Sequence, residues 1–292
     1  MSALCGVGRQ TPAVSAVILG SEAVAAGVVT PYALRSKYVA LHPNVYVRRG
    51  IEVDAVIRAK GAFLWSRRRG VLTGRSAAAL HGAKWASPNA PAELIHDNRH
   101  GPAGIVTYAD RIADDEVVLR DGIRVATPPR AALDMACRGT GDRAVAAIDA
   151  LAHATGLEVA DVERLAERYR GRRGIRRART VLSLIDGGAE SPRETWLRLI
   201  LGRAGFPPPR TQIPVYDDDG QLVARLDMGW EEALVAVEYD GDHHRTSRRQ
   251  FNRDIARLEA LSQLGWTVVR VTADDNTGGI IHRVEAALAR RM

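Results

Sequence analysis

Three carboxylates set the chemistry this chain has available. Asp227 sits inside the apolar run Leu226-Asp227-Met228, Glu238 closes the run Leu234-Val235-Ala236-Val237, and Asp240 follows two positions later. An acid in an apolar run is costly to bury without a partner, and two such positions in neighbouring segments mark a carboxylate cluster. Oxygen ligands of this kind hold Mg²⁺, or Mn²⁺, and a cation so placed neutralises developing charge and lowers the pKa of a bound water. The reaction that combination serves is hydrolysis of a phosphodiester. Alternate residues of a strand share a face, so Glu238 and Asp240 point the same way and Asp227 on an adjacent strand reaches the same place. Asp227 and Glu238 are therefore the expected metal ligands, and Asp240 is either a third ligand or a group that orients water. His244, and after it His243, is the candidate general base or leaving-group acid, because imidazole titrates near neutral pH. Arg253 and Arg270 either offset the buried acids or bind the scissile phosphate. Plainer readings exist for some of these: Asp240-Gly241 is also an ordinary turn, and a His-His pair in a loop is most often solvated.

These residues need a scaffold, and the surrounding sequence supplies it element by element. Ser191-Pro192-Arg193-Glu194 has the form of a capping box, with a Ser N-cap, Pro at the first helical position and Glu three residues after the cap. The apolar spacing Trp196, Leu197, Ile200, Leu201 continues the helix, and Gly205-Phe206-Pro207 ends it. Residues 211–216, 222–228 and 233–239 read as three strands, with Asp217-Asp218-Asp219-Gly220 as the turn between the first two. A long helix over residues 247–264, a strand over 266–272 and a helix over 280–290 complete the segment.

Helix, three strands, helix, strand, helix is the order of the PD-(D/E)xK nuclease core. Residues 190–292 resemble the uncharacterised bacterial domain family grouped inside that superfamily with the very-short-patch-repair endonucleases. The resemblance is carried by Glu194, Asp227, Glu238-Tyr239-Asp240-Gly241, His244, Arg253-Asp254, Gly265-Trp266 and Arg270, in that order along the chain. It implies catalytic roles for Asp227, Glu238, Asp240, His244 and Glu194, although the capping box alone accounts for Glu194. The chain departs from the superfamily at Asp240, where lysine is usual, and no lysine follows Lys84. The water-activating or charge-stabilising role is thereby left open for His244.

Ahead of this segment the chain is basic. The whole sequence has 41 Lys plus Arg against 34 Asp plus Glu, but residues 190–292 hold 14 Arg against 16 acids, so the first 189 residues carry 27 basic against 18 acidic groups. Eight arginines fall between Arg164 and Arg179, among them Arg172, Arg173 and Arg176. Their forked donors suit phosphate; the plainer reading is a solvated helical linker in a chain whose default cation is arginine. Further forward, residues 21–29 read as a short helix, Thr30-Pro31 as the start of the next, and residues 32–38 as that second helix. Leu41 to Gly50 then reads as a turn and an alternating strand ending in Arg48-Arg49. Helix, turn, helix and wing is the layout of a winged helix-turn-helix, whose second helix would present Arg35, Ser36 and Lys37 to a DNA groove, with Arg48 in the wing.

Residues 53–69 read as a further helix, Leu72 to Gly82 as a short small-residue helix, and residues 92–125 as a small antiparallel sheet followed by helices from Pro128-Pro129 and near Gly141. Here Leu72 to Leu80 and Thr127 to Leu133 resemble the Leu-Thr-Gly-x-Ser-Ala-Ala-like and Thr-Pro-x-Arg-Ala-like segments of the AbiEi family of type IV antitoxins. That resemblance covers roughly the first 150 residues. It implies DNA contact and transcriptional control rather than catalysis, with a cognate toxin as a protein partner.

The expected fold class is α/β of the α+β kind. Residues 1–52 form the winged helix-turn-helix, 53–150 a small α/β domain, 151–189 an arginine-rich helical linker, and 190–292 a restriction-endonuclease-like mixed sheet flanked by helices. A length of 292 residues with 46% apolar and 26% charged side chains fits two ordinary cores. The longest apolar stretches, residues 13–19 and 23–29, fall short of a membrane span and lack the charged region of a signal peptide, so a cytoplasmic protein with no membrane partner is expected. Two cysteines, Cys5 and Cys137, argue against a disulfide framework or a thiolate zinc site. The leading function these residues imply is a metal-dependent DNA endonuclease whose basic front part holds the substrate, as a monomer or homodimer; the alternative is a DNA-binding regulator whose nuclease-like domain is a scaffold.

Overall fold

The computed structural model describes residues 16–241 and 248–291. Contacts divide the chain into two units, residues 1–80 with 87–126 and residues 81–86 with 127–292. The fold is α+β, with three sheets among the described residues.

The first unit opens with β1 (Val17–Leu19), α1 (Gly20–Ala25), α2 (Pro31–Lys37), β2 (Tyr38–His42) and β3 (Val45–Arg48). Thr30 starts α2: its hydroxyl accepts from the Ala33 N–H at 3.1 Å, and Pro31 occupies the first turn, where no N–H is needed. Asn44 turns the β2–β3 hairpin in the left-handed region, at φ 61°, and its side chain accepts from Ser21 N–H at 2.9 Å, tying the hairpin to the start of α1. The sheet order is β1-β3-β2. β1 went unread in the sequence because three buried residues in a row show no alternation. Ile18, Ala23, Val29 and Tyr38 form the small core under α1 and α2.

Beyond α3 (Ala55–Trp65), capped by Asp54, the same unit holds a five-stranded sheet. Its strands are β4 (Val71–Leu72), β5 (Ala92–Ile95), β6 (Ile105–Tyr108), β7 (Val117–Arg120) and β8 (Ile123–Ala126), in the order β6-β5-β4-β8-β7, with α4 (Gly74–Leu80) following β4. This corrects the expected antiparallel sheet, because β5 pairs parallel with β6 and β4 pairs parallel with β8. Apolar alternation reports which face of a strand is buried and carries no information on its direction.

The second unit begins with α5 (Pro128–Arg138), α6 (Gly141–Thr155), α7 (Val159–Arg168) and α8 (Ile175–Leu182). The arginine-rich stretch lies on α7, α8 and the loop between them, whose apolar sides bury Val162, Leu165, Ala166, Ile175, Ala178, Val181 and Leu182. Then come α9 (Pro192–Arg203), β9 (Arg210–Tyr216), β10 (Leu222–Trp230), β11 (Val235–Tyr239), α10 (Arg248–Gln263), β12 (Thr267–Val271) and α11 (Thr277–Ala289). This is the element order read from the sequence. The sheet runs β12-β11-β10-β9; β9, β10 and β11 are antiparallel, and α10 makes the crossover that lets β12 pair parallel with β11. Val235, Val237, Val269 and Val271 pack against Leu197 and Leu201 of α9 and Ile280 and Val284 of α11. Ala236 joins Leu226, Leu261 of α10 and Trp266 in the other core.

Candidate functional site

The strand register of the second sheet decides which acids meet. β10 and β11 pair as Met228 with Val237 and Gly229 with Ala236, so the next step sets Asp227 opposite Glu238. The Tyr239 N–H confirms the step, donating to Asp227 Oδ2 at 2.8 Å. Asp240 follows Glu238 on the same side, and its N–H donates to Val271 O at 2.7 Å. Asp227, Glu238 and Asp240 thus line one cleft of about 280 Å³, together with Arg225, Tyr239, Asp254, Arg257 and Arg270.

Three arginines share this cleft with four acids. Glu238 is buried, and both its oxygens are taken by the fork of Arg257, at 2.7 and 2.9 Å. Arg270, the parallel-register partner of Glu238, pairs with Asp240. Arg225 turns to Glu190 instead. Burial pushes the Asp227 carboxyl up to about 7, with Glu194 and Glu238 adding repulsion and the Tyr239 N–H and Arg257 working against it. For Arg257 the balance is opposite: its hydrogen bond to Glu238, then the charges of Glu238, Asp254 and Asp227, hold the guanidinium protonated against desolvation.

That arrangement tests the expected cofactor. Mg²⁺ needs carboxylate oxygens free to face it, and here Glu238 gives both of its own to Arg257 while Asp240 and one oxygen of Asp227 are engaged elsewhere. Among the described residues no group of three or more His, Cys, Asp or Glu side chains is arranged to hold a metal ion. As they stand, the donors do not fit a divalent cation.

Glu194 lies on α9 and makes the Ser191 half of its capping box, while its carboxylate reaches one residue further back than the N-cap. Ser191 Oγ accepts from its N–H at 3.2 Å, and its own carboxylate accepts from the Glu190 N–H at 2.8 Å and from Gln212 Nε2 at 3.1 Å. Burial raises its pKa, and it reaches the cleft only as a charge felt by Asp227. His243 and His244 lie outside the described residues. Arg253 is exposed on α10, one turn before Arg257. Arg257 was missed in the sequence, because nothing local separates it from the exposed Arg253 one turn earlier on the same helix.

The basic residues separate into outward and inward sets. Arg35 and Lys37 are exposed on α2 with Ser36 between them, Tyr32 on the same helix is 74% exposed, and Arg48 is exposed at the end of β3. Arg49 Nε bonds to Ser36 O at 3.0 Å and fixes the helix to the hairpin end. Arg173 and Arg176 are also exposed. Arg172 is the correction: its side chain is only 12% exposed and is paired with Asp134. Asp134 is fully buried and also holds Arg130, itself fully buried, and Arg138, while Arg130 donates to the Tyr169 hydroxyl at 3.0 Å. This hub, within the Thr127-to-Leu133 motif and the turn after it, consumes Arg172 as a structural charge.

Residues 70–184 match the AbiEi antitoxin C-terminal domain. Both motif segments read from the sequence, Leu72 to Leu80 and Thr127 to Leu133, lie inside the match. It begins beyond the winged element and runs on through α8, past the residue 150 limit expected for it. Two uncharacterized proteins of Mycobacterium tuberculosis, MT2308 of strain CDC 1551 and Rv2248 of strain H37Rv, are each 33% identical over 170 residues, which is 58% of this chain and 60% of theirs. The chain therefore spans less than two thirds of these relatives' length. No solved structure matches. No helix among the described residues is long and apolar enough to cross a membrane.

Proposed function

We propose that this chain is a DNA-binding regulator of the antitoxin type, in which α2 and the β2–β3 wing hold DNA and the C-terminal domain is a nuclease-like scaffold. The observation that carries the reading is the match of residues 70–184 to an antitoxin domain, which follows an exposed basic helix and wing along the chain. Arg35, Lys37 and Arg48 are solvent-facing cations on one small sheet-and-helix element, which is what a phosphate-tracking surface requires. Its partners in this reading are DNA and a cognate toxin. Electrophoretic mobility shift with DNA from upstream of its own gene tests it. Replacing Arg35, Lys37 and Arg48 together by Ala lowers affinity by at least about tenfold and reduces the salt slope by roughly two to three, while Asp227→Ala leaves binding unchanged. Binding that ignores the triple substitution contradicts the reading.

A second reading is a PD-(D/E)xK-type DNA endonuclease related to the very-short-patch-repair group, as a monomer or homodimer. It is favoured by the convergence of Asp227, Glu238 and Asp240 in one cleft, in a domain whose element order suits that core. It needs Mg²⁺ or Mn²⁺, a general base such as His244, and carboxylates released from their arginines. A nicking assay on supercoiled DNA with either cation decides it: the reading requires cleavage that Asp227→Ala and Glu238→Ala both abolish, and absent or insensitive cleavage ends it.

A further inference from the structure

We infer that Arg257 is the resident cation of the acidic cleft, occupying the carboxylate oxygens that a divalent ion would need and so closing the folded protein to Mg²⁺ and Mn²⁺. The argument is geometric. Glu238 lies opposite Asp227 across β10–β11, and its two oxygens meet the two Nη atoms of Arg257 in a fork at 2.7 and 2.9 Å. The pair is mostly withdrawn from water, with side-chain exposures of 29% for Arg257 and 10% for Glu238. A bidentate pair of this kind is charge-assisted and directional, unlike a solvated surface contact. Asp254, one turn before Arg257 on α10, and Asp227 also bear on the same guanidinium, so one arginine faces three carboxylates.

The remaining charges on the cleft reinforce this. Arg270 answers Asp240, which leaves two guanidinium groups matched to the acids of the strand ends. An ion entering between Asp227 and Glu238 must displace Arg257 and leave it partly buried beside a divalent charge, which is unfavourable. Arg257 comes from the helix that makes the β11–β12 crossover, so the same element that completes the sheet delivers the counter-charge. The consequence is a nuclease-like cleft in which Glu238 and Asp240 already hold their counter-charges without a metal. This goes beyond the regulator reading and stands apart from it, because it concerns the second unit alone.

The test is Mn²⁺ binding to the full chain, followed by the loss of the free Mn²⁺ electron paramagnetic resonance signal, with thermal melts alongside. The wild-type protein shows no Mn²⁺ binding that Glu238→Gln removes. Arg257→Gln gains Mn²⁺ binding at least about tenfold tighter than wild type, with a cation-dependent rise in melting temperature, and the added Glu238→Gln substitution cancels both. Arg257→Lys, which keeps the charge but not the fork, falls between them. Wild-type binding that depends on Glu238, or a folded Arg257→Gln variant indifferent to Mn²⁺, overturns the inference. If Arg257→Gln does not fold, the wild-type titration against Glu238→Gln decides alone: Glu238-dependent binding overturns it and its absence upholds it. DNA binding through α2 is scored separately, so its failure leaves this result readable.

Discussion

Asp227 is the carboxylate the cleft leaves least compensated, and that gives it a pH signature. Its pKa is raised from 3.8 to about 7, first by burial and then by Glu194 and Glu238. The folded state therefore holds a proton that the unfolded chain releases near pH 4, and stability falls as pH rises from about 4 through about 7. Asp227→Asn removes the ionisation, so the variant is expected to melt higher than wild type above pH 7, by on the order of 2 kcal/mol, and to converge with it near pH 4. Melting curves across that range check it, and a variant less stable at pH 8 than wild type contradicts it. Asp227 and Glu238 were legible in the sequence because acids inside apolar runs violate burial rules. Arg257 and Arg172 were not, since nothing local distinguishes an inward arginine when its partner, Glu238 or Asp134, lies 19 or 38 positions away in the chain.

At the scale of elements, the cleft depends on how closely β10 and β11 approach. Gly229 pairs with Ala236, and a Cβ built there would lie 2.4 Å from Val235 O and 2.9 Å from the Ala236 Cα, both backbone atoms that cannot swing aside. Gly229→Ala is expected to push the strands apart and cost on the order of 1–3 kcal/mol, with loss of the Tyr239 N–H to Asp227 bond two positions on. Denaturant unfolding and the amide proton shift of Tyr239 measure the two effects, and a variant of wild-type stability refutes the register argument. Element order from α9 to α11 was readable because capping, apolar period and turn residues agree there. Some boundaries moved: β10 runs on to Trp230, α11 starts at Thr277, and residues 231–233, the last of them expected to open β11, form a single 3-10 turn that ends in Leu234 at φ 50°. The parallel pairings of the first unit were not readable, because β4 and β8 meet across more than fifty residues and strand alternation is blind to direction.

At the scale of the whole molecule, charge and similarity point the same way. The excess of basic groups lies ahead of residue 190, the antitoxin-like match covers residues 70–184, and after it Glu238 and Asp240 are met by arginines within their own fold. The C-terminal unit thus gathers Asp227, Glu238 and Asp240 in one cleft and engages Glu238 and Asp240 in internal ion pairs, while the N-terminal element offers Arg35, Lys37 and Arg48 to solvent. The sequence alone weighted these two halves the other way, because a run of spaced acids is visible in one dimension and their neutralisation is visible only in three. The most direct measurement is the salt dependence of DNA binding by the full chain, compared among wild type, the Arg35/Lys37/Arg48→Ala variant and Asp227→Ala. The account predicts a steep slope for wild type and Asp227→Ala alike and a slope shallower by roughly two to three for the triple variant. Equal slopes for wild type and the triple variant would contradict it.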